Sequence, residues 1–359
     1  MTRRSTAILA IVLLLAGCTS APTPADQAWV RVPLPADVVG SQVLVIDGRL
    51  VVGGSRDEQP ALLVADAAGV LAPIPIEAVS YYGALARWSS ISAEGSHLRA
   101  LGGRTGGGHG NPRWSTWVGD LNRLTEQPVQ GLEVFGGWRG GGMVGVTEVD
   151  GQAVLVGGRA GGGPGLDIAI WLEHGDSWIE QSSTGSPLAA TADVLPFATS
   201  VVTDDHDLLV TGFTQRLGGG EVRVEAAAWV GGPTGPWELL DLPHDALASQ
   251  AEAAWCEGGR CVIVGRGDGL LLAWSYVDGA ATQFALPRIE ASDEIPAPVL
   301  WDGATALVGA GVIAVSEDAS SWRLIEGPEG DPLAAAAFGG VLYVLTVAAD
   351  GSVTLWQSA

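Results

Sequence analysis

The stretch Val154-Leu155-Val156-Gly157-Gly158 decides the fold, because it recurs. A short apolar run closed by glycine also stands at Leu50-Val51-Val52-Gly53-Gly54, Leu98-Arg99-Ala100-Leu101-Gly102-Gly103 and Leu208-Leu209-Val210-Thr211-Gly212. It returns at Val262-Ile263-Val264-Gly265 and Ala306-Leu307-Val308-Gly309, with a degenerate seventh copy at Val341-Leu342-Tyr343-Val344-Leu345. The first glycines follow one another at steps of 49, 55, 55, 53 and 44 residues. Self-similarity at such a period marks a chain built from one supersecondary unit repeated.

Each phrase sits inside a larger unit. An apolar strand precedes it, as in Ala198-Thr199-Ser200-Val201-Val202, joined by a polar turn such as Asp204-Asp205-His206-Asp207. A Gly-rich loop follows it. A third strand carries Trp117, Trp171, Trp229, Trp274 or Trp356, and a fourth starts near Trp178, Trp237 or Trp322. Four short strands per unit make a propeller blade, so the expected fold is all-β: one seven-bladed β-propeller. Small apolar first strands suit the crowded channel, and the tryptophans are expected to fill the wedges between blades.

The last repeat lacks a fourth-strand phrase after Val353-Thr354-Leu355-Trp356-Gln357. The early segment Trp29-Val30-Arg31-Val32-Pro33-Leu34-Pro35 matches the fourth-strand phrase Trp237-Glu238-Leu239-Leu240-Asp241-Leu242-Pro243. The N-terminal strand is therefore expected to complete the last blade and cover an open edge.

Two resemblances support this fold. Gly157-Gly158 followed by Trp171 and Trp178 resembles a kelch repeat. Ser316-Glu317-Asp318-Ala319-Ser320-Ser321-Trp322 resembles the Asp-box turn of sialidase-like propellers, with Ala319 where glycine is usual. Neither carries an activity.

The start of the chain reads as an address. Arg3 and Arg4 precede the apolar run Ala7–Ala16, which is too short to span a bilayer and ends in Leu15-Ala16-Gly17-Cys18. This resembles the lipobox of bacterial lipoprotein signal peptides. The resemblance implies cleavage before Cys18, a lipid on its sulfur and a place outside the cytoplasm on the cell membrane. Residues 1–17 are then a signal, 18–27 the lipidated cysteine and a flexible tether, and 28–359 the propeller domain. Cys256 and Cys261 flank a tight turn and are expected to form a disulfide in an oxidising compartment. Two cysteines with no nearby histidine are short of ligands for a metal.

The chain of 359 residues carries a net charge of −22, with 40 acidic residues against 18 basic ones, all arginine. Such a charge repels nucleic acid, so no nucleic-acid partner is expected. The five histidines fall in no metal-ligand spacing and no glycine run is followed by a phosphate-binding lysine, so no cofactor and no metal are expected. The chain is read as a monomer.

In a blade, the loop between strands two and three and the loop leading to the next blade open on one face. That face is expected to carry Tyr82, Arg104, His109, Trp138, Arg139, Arg159, Arg216 and Arg266. Four of these arginines follow the second strand of their blade although basic residues are scarce. Arginine suits planar anions and aromatic rings suit sugars. The first reading is a binding or scaffold module for an anionic or glycan ligand or a partner protein. The alternative is an extracellular glycan hydrolase or lyase of sialidase-like type. The competing account of the arginines is that each pairs with a carboxylate of a neighbouring blade.

Overall fold

The computed structural model describes residues 23–106, 111–128, 131 and 133–359. The signal run, Cys18 and His109 lie outside the described residues.

Seven sheets follow one another around a ring, making a β-propeller of seven blades. Blade 1 runs from Val38 to Pro73, blade 2 from Arg87 to Gln127 and blade 3 from Gly140 to Glu180. Blade 4 spans Val194 to Asp241, blade 5 Ser249 to Gln283, blade 6 Val299 to Glu326, and blade 7 opens at Asp331. Blade 7 takes its outermost strand from the other end of the chain: Trp29–Val32 pairs with Val353–Ser358, in register from Trp29 opposite Ser358 to Val32 opposite Leu355. This is the closure expected from the sequence.

Each core belongs to a pair of blades. Seven buried apolar clusters are present among the described residues, and each joins two neighbours around the ring, including one between blades 7 and 1. Trp117, Trp171, Trp229 and Trp274 are at most 1% exposed, and each lies in the cluster shared with the preceding blade. Two of them also bond the incoming connection: the Trp229 indole donates to the Pro187 carbonyl at 3.1 Å and the Trp274 indole to Pro243 at 2.6 Å. These side chains therefore fill the wedge and hold the loop that enters it. Trp178, Trp237 and Trp322 are only partly buried, because strands farther out have one blade side open. Trp356 is partly buried too, although it stands in a third strand.

The recurring glycine has a cause in the innermost strands. In six blades the pairing of first and second strands slips by one residue, as between Ala198 and Ser200 or Ala251 and Ala253. Such a bulge bends the strand and drives its carbonyl against the partner. A Cβ on Gly212 would collide with the Phe197 carbonyl, and one on Gly265 with that of Gln250. Glycine is thus required in mid-strand and does not end the strand. The second strands run on through Arg104, Arg159, Arg216 and Arg266, which lie in the last residues of their strands and not in the following loops.

Asp-Gly turns close several hairpins. Asp47-Gly48, Asp150-Gly151 and Asp302-Gly303 hold both residues at positive φ, as a two-residue hairpin turn demands. Part of the acidic excess is therefore turn chemistry. Asp318 organises the turn before Trp322, accepting from the backbone of Ser320 at 2.9 Å and Ser321 at 3.0 Å. These bonds hold its carboxyl well below the usual carboxylate range.

Two features were not read from the sequence. Blade 2 has a fifth strand, Ile76–Glu77, laid parallel on Arg123–Gln127 by the chain arriving from blade 1. Within the stretch read as tether, Ala25 bridges to Ile325, donating to the Leu324 carbonyl and accepting from Glu326, both at 2.9 Å. Both segments occupy the outer edge of a blade that would otherwise be bare. Cys256 and Cys261 face each other across their hairpin and form the expected disulfide. No helix among the described residues is long and apolar enough to cross a membrane.

Candidate functional site

The four repeated arginines each meet a carboxylate. Arg104 lies 3.6 Å from Glu58 in the hairpin of blade 1, so it reaches across a blade boundary. Arg159 is buried 2.9 Å from Glu180 and donates to the carbonyls of Glu133, Val134 and Gly136. It ties the connection from blade 2 to the outer strand of blade 3. Arg216 pairs with Glu225 inside its own hairpin. Arg266 lies 3.0 Å from Glu252 and donates to the Asp293 carbonyl at 2.7 Å. Burial pushes the Glu252 carboxyl above its ordinary range against the pull of Arg266, and Glu294 adds to the push. Arg139 joins Arg159 on Glu180 at 3.3 Å. The four repeated guanidinium groups stand in four different blades, each on its own carboxylate, and only Arg139 shares one, with Arg159.

The aromatic residues are arranged differently. Trp138 is 87% exposed beside Arg139, at the entry to blade 3. Tyr81, at the entry to blade 2, is 73% exposed and stands edge-on to Tyr82. Tyr82 borders a cavity of about 530 Å³, which opens on the same face over blade 2. Three segments build it: the entry loop with Ser80 and Tyr82, the start of the third strand with Pro112, Arg113 and Trp114, and the exit loop with Phe135 and Gly136.

Arg113, near the start of the third strand of blade 2, also borders this cavity. Its guanidinium lies 5.8 Å from the centre of the Tyr82 ring, within cation–π range. Among the described residues it has no carboxylate within 4.0 Å. The Trp114 indole nitrogen is buried without an acceptor among the described residues. Glu126 also borders the cavity but is committed to the protein. Its carboxylate accepts from the Val79 and Ser80 amides at 2.7 and 2.8 Å and from the Ser80 hydroxyl at 2.6 Å. A cation without a counter-ion, set among aromatic walls, can hold an anion or the polar face of a sugar.

The opposite face is acidic. The innermost strands of blades 2, 3 and 4 line a recess of about 390 Å³ with Ser90, Ser92, Thr147 and Thr203 and with Glu94, Glu148 and Asp150. His206 meets Asp150 there at 2.9 Å, and that contact raises the imidazole above its ordinary pKa.

No family model matches the chain, and no curated protein matches it either. Solved structures do. The β-propeller domain of Cps50 (Swd1) from Myceliophteria thermophila superposes with a TM-score of 0.56 at 10% identity, over 92% of this chain and 100% of that one. The β-propeller domain of the Trilobed protease from Pyrococcus furiosus gives 0.55 at 10% identity, over 91% and 94%. A Trypanosoma rangeli sialidase gives 0.48 at 11% identity over 90% of this chain, which spans only 55% of the sialidase. Identities this low speak for architecture alone, and the architecture is that of a seven-bladed β-propeller.

Proposed function

We propose that this chain is a lipid-anchored, extracytoplasmic binding module that holds an anionic or glycan ligand on the face carrying Tyr82, Arg113 and Trp138. The observation that carries the reading is the cavity over blade 2. In a chain with 40 acidic residues, its one guanidinium stands clear of carboxylates among the described residues. The exposed Trp138 and Tyr81 lie on the two connections that flank blade 2 and extend the aromatic surface beyond its rim. Glycan hydrolysis needs a carboxyl free to give or take a proton. Glu126 does not serve, because three donors already hold it. Binding without catalysis is therefore the stronger reading.

A screen of the mature chain against glycans and small carboxylates tests this. Arg113→Ala should weaken the best anionic ligand by roughly tenfold or more, since a hydrogen bond to a charged group is worth about 1.5–3 kcal/mol. Its melting temperature should stay near the parent value, because Arg113 closes no ion pair among the described residues. A screen without binders, or a ligand indifferent to both Arg113→Ala and Tyr82→Ala, would refute the site.

The anchor has its own test. Cys18→Ala should leave the signal uncleaved at that residue and abolish partitioning into detergent. Unchanged partitioning would remove the lipid from the proposal.

A further inference from the structure

The sequence leaves Cys256 and Cys261 short of metal ligands; the fold brings a third. Asp204 ends the innermost strand of blade 4, and Cys256 lies near the end of the innermost strand of blade 5. The two sulfurs and a carboxylate oxygen of Asp204 all lie within 4.8 Å of one another. The Asp204 Oδ1 atom is buried and has no hydrogen-bond partner among the described residues. A buried carboxylate oxygen without a donor is costly unless something cationic or protic meets it.

We propose that, once the disulfide is reduced, Cys256, Cys261 and Asp204 form a zinc-class metal site that joins blades 4 and 5. Reduction by a dithiol breaks the S–S bond. Two electrons and two protons pass to the cysteines, and the dithiol leaves as its own disulfide. A divalent zinc ion then displaces both thiol protons to solvent and gains two thiolate bonds and one carboxylate bond. Water takes the fourth position. Two sulfurs with one oxygen suit zinc better than calcium or magnesium, which prefer oxygen alone. The same two residues thus serve as a covalent clip in the oxidised chain and as a metal clamp in the reduced one.

The mature chain, reduced by a phosphine that carries off oxygen from water and then desalted, is titrated with Co²⁺ and Zn²⁺. The reduced protein should bind a single ion with a thiolate-to-cobalt charge-transfer band, and zinc should displace the cobalt. The oxidised protein and the Cys256→Ser, Cys261→Ser double variant should show no such band. Asp204→Asn should keep the band but bind more weakly, by at least the roughly 10–100-fold that even an outer partner of a ligand is worth. Failure of the reduced chain to take up metal would overturn the proposal, as would its unfolding on reduction. Asp204→Asn binding as tightly as the parent would overturn the bridge between blades.

Discussion

A chain lacking residues 28–35 is expected to aggregate instead of folding. The segment does three things at once. Its strand covers the edge of Val353–Ser358 along four residue pairs. Trp29 packs into the cluster between blades 6 and 7 and donates its indole N–H to the Glu326 carbonyl at 2.9 Å. Val32 and Leu34 pack into the next cluster, between blades 7 and 1. Two of the seven inter-blade contacts therefore lose side chains in one deletion. Losing a fully buried large aromatic costs about 3–5 kcal/mol; the half-buried Trp29 is worth less, but the strand pairing and two further apolar side chains go with it, and a domain holds only about 5–15 kcal/mol in all. The bare strand that remains would present unpaired amides and carbonyls to other copies. Size-exclusion chromatography of the truncated chain should show only aggregate, and its melting curve should lose cooperativity. The single change Trp29→Ala should leave a folded but weakened protein. A truncated chain that elutes as a compact monomer and melts within a few degrees of the parent would refute closure by this strand.

The fold was legible because the constraint that shapes it is local. In blades 1 to 5 a bulge in the first strand stands opposite glycine, so the repeat of glycines largely records the repeat of bulges, and the tryptophans record the wedges. The closing strand was legible for the same reason: it is a fourth strand and looks like one. The site was far less so. Whether an arginine is free depends on where carboxylates lie in space, and Glu58, Glu180 and Glu252 come from three different blades. The repetition of arginine was visible, but its partners were not. Arg113 meets Tyr82 across 31 positions of sequence and Phe135 from a third segment, and no spacing rule links them. Asp204 reaches the disulfide in the same way, through adjacency of blades and not through a motif.

Arg99→Leu should be the most damaging single substitution in the ring. Arg99 is 7% exposed in the second strand of blade 2 and reaches two carboxylates of blade 3, Glu148 at 3.1 Å and Glu173 at 2.8 Å. His97 meets Glu148 as well, at 3.0 Å. One guanidinium nitrogen has no acceptor among the described residues, so the network is not fully satisfied and its net worth is modest. Removal is another matter. Leucine would leave two poorly solvated carboxylates facing each other without their cation, and breaking a buried pair from one side costs about 3–5 kcal/mol. The pH dependence gives a signature that lost packing would not. Burial alone would raise Glu148, but hydrogen bonds and charge from Arg99 and His97 outweigh it and hold the carboxyl below its ordinary range. A depressed carboxyl contributes stability above its unfolded pKa and loses it as pH falls through the folded one. In Arg99→Leu that shift should reverse, since burial and the neighbouring carboxylate now favour the proton. The variant should therefore fall furthest behind the parent near neutral pH, and the gap should narrow as acid protonates Glu148. Denaturant titrations of both proteins across the acid range measure that gap. A loss that stays the same at every pH would mean that Arg99 contributes packing alone and that the ion pair does not join the blades.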